Sequence, residues 1–233
     1  MPGPGPADDA LERLGTLALR EHSMESLLQT VVDGAKSTFP SAADVSVTLL
    51  VADQPLTTVS TGSLAQDLDE SQYGRGYGPC LNAAGRGELT EVSDARTEPR
   101  WRDYMEKAVE RGSLSSLSVP LPVSGLRGGL NIYARQPRAF DDDSRAAAAR
   151  FAPYAGVAIA NMHAYQSVQD TADNLEAALS SRAVIDQAKG ILMERHKLTA
   201  DQAFQFQVHA SMQANRKLRD IADHLVTTGE VEL

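Results

Sequence analysis

Apolar positions along this chain follow two different periods. Behind Ser23, the apolar residues Leu27, Leu28, Val31, Val32 and Ala35 recur at helical spacing, which predicts an amphipathic helix. Leu11, Leu14 and Ala18 predict an earlier helix after a polar leader. The period then falls to two. In DVSVTLLVAD, Val45, Val47, Leu49 and Val51 alternate with Ser46 and Thr48, the pattern of a strand. LTTVS, ELTEV, LSSLSVPLPV and GGLNIYAR predict further strands between Gly, Pro and Asp turns, and a short helix is expected around Arg102 to Val109. This mixture predicts an α+β unit with a mostly antiparallel sheet and flanking helices.

Beyond FDDDSRAAAARFAPYAGVAIANMHAYQ the period returns to helical and stays there. Asp141 or Asp142 can cap the start of this helix and Pro153 can kink it. Ala158, Met162, Tyr165, Val168, Ala172, Leu175 and Leu179 recur in steps of four and three, the coiled-coil period. The helical pattern runs to about His196. That length predicts a parallel dimer seam; the alternative is a helix packed on its own domain. The breakers agree with this division. All eleven prolines lie at or before Pro153, and only Gly156, Gly190 and Gly229 of the seventeen glycines lie beyond it.

Near the end of the long pattern, Val184, Ile185, Ala188, Ile191 and Leu192 form one apolar stripe. Asp186, Lys189, Gly190, Met193 and Lys197 fall on the opposite side. A glycine inside a helix costs about 1 kcal/mol relative to alanine, so Gly190 asks for a reason. Two are open. The bare backbone could let a nucleotide approach, with Lys189 near a phosphate or base edge and Met193 against a base. Alternatively it could permit close helix–helix packing, for instance with a dimer partner. Thr199 and Gln202 form a capping box that starts a second helix, with Ala203, Phe204, Val208 and Met212 expected in the core. Asn215 is expected to cap a third helix, with Leu218, Ile221, Ala222 and Leu225 inward and Gly229 near its end. Arg216, Lys217 and Arg219 are expected in its first turn, where cations oppose the helix dipole by about 0.3–1 kcal/mol each. Basic groups beside free N–H groups make an anion site; a solvated basic turn is the alternative.

Charge narrows the function classes. The 233 residues carry a formal net charge of −9, which argues against non-specific coating of nucleic acid and against anionic lipid. Residues 180–233 hold seven Lys or Arg and seven Asp or Glu. Any nucleic-acid contact there must use a local patch: Lys189, Arg195, Lys197, Arg216, Lys217 and Arg219. The single cysteine, Cys80, excludes a disulfide within the chain and a cysteine-based zinc site, and the five histidines show no ligand spacing. MPGPGPADDA lacks a signal pattern and no apolar run approaches the roughly 18 residues of a membrane helix, so a cytoplasmic protein is expected. No Ser–His–Asp set or paired carboxylates stand out. GRGYG lacks the Lys-Ser/Thr of a phosphate loop and reads as a turn. A non-enzyme is expected. Cys80 follows Pro79 in a predicted first helical turn, either as a reactive thiol or as a small core residue. Trp101 and Tyr104 either line a pocket or pack.

These stretches also carry a resemblance. YGRGYGPCLNAAGRGELTEVSDARTEPRWRDY, SLSVPLPV, GGLNIYA and AFDDDSRAAAARFAPYAGVAIA resemble a GAF sensory domain of the actinobacterial type. SRAVIDQAKGILMERHKLTADQAF, followed by SMQANRKLRDIADHLV, resembles an ANTAR domain, the RNA-binding module of transcription antitermination regulators. The layout implied is a leader or helix over 1–20, a GAF sensory domain over 21–163, a helical coiled-coil linker over 164–180 and an ANTAR domain over 181–233. The resemblance implies a three-helix bundle on a dimerising helix. It also implies binding to paired RNA stem-loops, which disfavours a competing terminator hairpin. The expected RNA-binding residues are Ala188, Lys189, Gly190, Met193, Lys197, Ser211, Asn215, Arg216, Lys217 and Arg219, and the expected sensory residues are Cys80, Trp101 and Tyr104. The sequence requires no cofactor. Haem, cyclic nucleotides, small metabolites, a redox signal and no ligand at all stay open at the GAF domain. Where the family tends to show Leu-Arg-Arg, this chain has Gln207, Val208 and His209, so two basic positions are lost or weakened. Two other functions remain. NRKLRDIADHL resembles a helix-turn-helix fragment of a DNA-binding regulator, and a signalling adaptor would act through protein contacts.

Overall fold

A computed structural model of the chain describes residues 6–16, 18–51, 54–123 and 126–230. They form two compact units, Met1–Tyr165 and Gln166–Leu233. In the first, a five-stranded antiparallel sheet has the order β2-β1-β5-β4-β3. Its strands are β1 Asp44–Val51, β2 Gln54–Ser60, β3 Thr90–Val92, β4 Ser115–Val123 and β5 Leu126–Ala134. The helices are α1 Pro6–Thr16, α2 Met24–Thr38, α3 Ser63–Arg75, α4 Pro79–Arg86, α5 Arg102–Glu110 and the first part of α6, which runs Asp142–His196.

Period-two alternation gives the sheet two unlike faces. Val45, Val47, Leu117, Val119, Leu130 and Ile132 enter the main core. They meet Leu27, Leu28, Val31 and Val32 of α2 and Phe151, Ala155, Ile159 and Met162 of α6. The alternate positions Ser46, Thr48, Ser116, Ser118 and Asn131 are polar and also buried. Ser23 caps α2 through a reciprocal bond set with Ser26. Asp141 accepts from the backbone and hydroxyl of Ser144, at 2.8 and 2.7 Å, and so starts α6.

The sequence pattern misses α3 and most of α4. On α3, Asp69 and Gln72 share the buried face with Leu64, Ala65 and Leu68, so no apolar stripe is readable. Pro153 lies inside an uninterrupted α6. The predicted seam on α6 divides. Met162 is buried and Ala158 and Tyr165 pack against the main core of their own unit, whereas Val168, Leu175 and Leu179 are 69%, 60% and 60% exposed. Tyr154 and Val157, outside the predicted seam, are exposed and stand at three-four spacing with Asn161, Ala164 and Val168. The register of the exposed stripe therefore differs from the predicted one over the first unit, because the core takes the face on which Met162 lies.

In the second unit the end of α6 packs with α7 Ala200–Ala214 and α8 Leu218–Thr228 around Ala188, Leu192, Ala203, Ala222 and Leu225. The Thr199–Gln202 capping box is formed. Two expectations need correction here. The buried face of α7 is Ala203, Gln207 and Ala210, while Phe204 and Met212 are exposed and Val208 is half-buried. Small alanines set the phase of this helix by close approach, so Phe204 and Met212 lie outside while Phe206 packs at the edge of the core. Asn215 does not cap α8. It ends α7 in the left-handed region with φ 50°, its N–H directed at Met212 and Ser211 carbonyls. Lys217 stands at the start of α8 with no side-chain cap bond, and only Arg219 of the basic cluster enters the first turn, beside Asp220. Among the described residues, no helix is long and apolar enough to cross a membrane.

Candidate nucleic-acid interface

The last turns of α6 present two opposite faces. Ala188 and Leu192 are fully buried in the bundle core. The Ala188 side chain, expected among the RNA-binding set, therefore offers no surface. Gly190 is exposed on the other side, and a Cβ added there would meet nothing within 4 Å. Packing among the described residues thus gives no reason for this glycine. Beside it lies a shallow groove of about 980 Å³ whose walls include Gln187, Ile191, Glu194, Lys197 and Val226 of α8. Arg195 donates to the Gly229 carbonyl at the end of α8, where a cation suits the helix dipole.

The cations near Gly190 are held by acids on the same helix. Lys189 pairs with Asp186, and this ammonium holds the Asp186 carboxyl below its ordinary range. Lys197 turns out of the helix with φ 54° and pairs with Glu194 at 2.7 Å. Arg219 lies 3.5 Å from Asp220. Such exposed pairs are weak in water and screened by salt. Met193 is half-buried at the edge of the bundle core.

A second basic cluster sits where α7 meets α8. The Ser211 hydroxyl donates to the Arg216 carbonyl, and the Arg216 N–H donates to the Ser211 carbonyl at 3.1 Å. Ser211 and the left-handed Asn215 thus shape the turn, and Arg216, Lys217 and Arg219 are exposed along it. Met212, 74% exposed just before this turn, is an apolar surface residue that periodicity assigns to the core. Nothing in the spacing of α7 could reveal it without knowing that Ala203 and Ala210 fix the phase.

The three expected sensory residues do not share one cavity. Cys80 is fully buried in the first turn of α4, with its Sγ 3.0 Å from Thr48 Oγ1. Burial, reinforced by the Asp69 charge, pushes its thiol up, opposite to the shift that makes a thiol reactive. Tyr104 is buried in a second cluster with Leu68, Val92 and Tyr133. Trp101 is half-buried at the start of α5, with the Arg100 guanidinium 4.7 Å from its ring centroid.

Between these residues runs a buried polar network that the sequence pattern does not reveal. Tyr133 donates to Asp69 and accepts from Gln72 at 3.2 Å. Gln72 accepts from the Cys80 N–H at 2.8 Å, and Asn131 donates to Thr48 at 3.0 Å. Burial first, and then the Asp69 charge, hold the Tyr104 and Tyr133 phenols well above their ordinary range, so both stay neutral. Ser118 Oγ and Asn131 Oδ1 are buried without a hydrogen-bond partner. The available signal is the polar half of the strand alternation, Ser46 and Thr48, which in an ordinary antiparallel sheet faces solvent.

Comparison with known proteins agrees with this division. The GAF domain profile matches residues 21–160 and the ANTAR domain profile matches residues 173–226. Among solved structures, a domain of a two-component sensor histidine kinase protein from Sinorhizobium meliloti 1021 is similar at 19% identity and TM-score 0.53, over 64% of this chain and 98% of that one. The N-acylhomoserine lactone dependent LuxR family transcription factor CepR2 from Burkholderia cenocepacia is similar at 16% identity and TM-score 0.53, over 68% and 96%. Free methionine-R-sulfoxide reductase from Neisseria meningitidis, in complex with its substrate, is similar at 16% identity and TM-score 0.51, over 67% and 91%. At these identities the likeness shows the fold alone. No curated protein matches the chain.

Proposed function

Because the chain belongs to the GAF domain family and carries an ANTAR domain behind it, we propose that it is a cytoplasmic, signal-responsive regulator that binds stem-loop RNA in nascent transcripts and promotes antitermination. GAF domains sense signals and ANTAR domains are RNA-binding antitermination modules; neither is an enzymatic domain. The observation that carries the finer reading is the open backbone at Gly190, flanked by Lys189 and Lys197 on a surface that none of the described residues covers. Phosphates exchange with Asp186 and Glu194 for these cations. Loop bases supply specificity, since the deep major groove of A-form RNA admits no side chain. The basic turn Arg216–Arg219 holds the backbone of the same hairpin. In this reading the layout is a GAF domain over 21–163, a linker over 164–180 and an ANTAR domain over 181–233.

A homodimer presents two such surfaces to paired hairpins, with the exposed apolar stripe of α6 as its seam. The signal acts at the GAF domain by favouring one population of dimer geometries over another. The test is binding to a paired stem-loop. Lys189→Ala and Arg216→Ala each weaken binding and reduce the salt slope by about one for each phosphate no longer neutralised, with circular dichroism unchanged. Unaltered affinity and slope in both variants overturn the assigned surface.

A further inference from the structure

The bundle of the second unit turns a row of apolar residues outward. Phe204, Val208 and Met212 follow at steps of four on α7 and so lie along one side of it. The core takes the other side through Ala203, Gln207 and Ala210. Phe204 and Met212 are 39% and 74% exposed, and Val208 is half-buried. Lone exposed apolar side chains are ordinary on a protein surface. Here three stand in one row, on a helix that buries two alanines and a glutamine instead.

What surrounds the row selects its partner. α7 has one acidic residue, Asp201 in its first turn, and none from Gln202 to Ala214. The row leads into the turn that carries Lys217, exposed at the start of α8, and then Arg219, which lies 3.5 Å from Asp220. The polar groups nearest Met212 are already engaged in that turn. The Ser211 hydroxyl donates to the Arg216 carbonyl, and Asn215 holds the left-handed end of α7. The surface here therefore offers apolar contact beside positive charge.

Unpaired nucleotides match both properties. Each has a flat apolar base and a phosphate, and single strands are held by stacking platforms flanked by cations. A paired stem keeps its bases stacked on one another and answers only the charge. An apolar protein face answers only the row. The rise from Phe204 to Met212 is roughly 12 Å, the length of about three bases stacked at roughly 3.4 Å.

We propose that Phe204, Val208 and Met212 form a platform on which unpaired loop bases of the RNA stack, while the turn after α7 holds the adjoining phosphates. The inference rests on the RNA-binding reading and adds to it a base-contacting surface distinct from Gly190. It also gives Val208 a role. Where the family tends to show arginine, this chain exchanges a phosphate contact for a base contact.

The experiment uses the full chain and RNA hairpins with a constant stem and randomised loops, from which the wild type selects its tightest binder. That hairpin is then compared with a copy whose loop nucleotides are abasic. Phe204→Ala is expected to weaken the intact hairpin by about tenfold, the scale of one lost base–aromatic stack. Met212 is largely exposed, so Met212→Trp leaves the melting temperature unchanged and, by adding a flat ring, should tighten binding by about fivefold. Both effects vanish on the abasic hairpin, and neither variant alters the salt slope, because no phosphate contact is removed. The platform alone is overturned if the wild type binds the selected hairpin and both variants match it, if the abasic copy shows the same changes, or if the slope shifts by about one. Selection of no hairpin overturns the RNA reading and the platform together. Met212→Ala without RNA should sediment as the wild type does; a changed association state overturns the platform, since a second copy would then occupy the row.

Discussion

Gln207 shows how one residue can work against its surroundings. It is 1% exposed in the bundle core, its amide donates to the Ile185 carbonyl at 3.4 Å, and its Oε1 has no partner among the described residues. A buried polar atom left unsatisfied costs about 1–3 kcal/mol. Gln207→Leu is therefore expected to stabilise the chain by about 1–2 kcal/mol, read as a higher midpoint in urea; an unchanged or lower midpoint contradicts this account of the core. In the sequence, the family's two basic positions are lost or weakened at Val208 and His209, while Gln207 stands where the family tends to show leucine. Its burial places the consequence in stability as well. Cys80 makes a second case. With its thiol buried and pushed up, it should not react with Ellman's reagent at pH 8 in the folded chain. One thiol should appear on denaturation. Fast reaction of the native chain would mean that α4 opens readily.

At the scale of elements, the legible parts are those where pattern and packing agree. Alternation locates β1, β4 and β5, the apolar run behind Ser23 locates α2, the capping box at Thr199 locates the start of α7, and the uninterrupted helical run locates the end of α6 at His196. The illegible parts have physical causes. Asp69 and Gln72 make the buried face of α3 polar. Ala203 and Ala210 bring α7 close through small side chains. Asn215 adopts a left-handed conformation that suits the end of one helix as well as asparagine suits the start of another. For the candidate site, Lys189, Gly190 and Lys197 are readable because they oppose an apolar stripe, while exposed Met212 is not. The same division governs the seam. Leu175→Glu with Leu179→Glu, both at positions 60% exposed, should convert a dimer to a monomer in sedimentation while the first unit keeps its melting transition. A dimer that survives both changes places the seam elsewhere.

At the scale of the whole molecule, α6 runs through both units. Its early residues Phe151, Ala155, Ile159 and Met162 complete the core of the GAF unit, and its final turns carry Lys189 and Gly190. In the proposed function, a signal that alters packing in the first unit acts on the helix that bears the surface assigned to RNA. With a net charge of −9, the proposed binding is expected only for RNA that can present phosphates to that small surface, with an affinity sensitive to salt. The most direct measurement is on Gly190→Ala, comparing thermal stability and stem-loop affinity in the same preparation. A methyl group there meets nothing within 4 Å, so the variant should gain about 1 kcal/mol of helix stability while losing several-fold in RNA affinity, because the methyl blocks approach to the backbone. A variant that is more stable and binds RNA as tightly as the wild type would contradict the account.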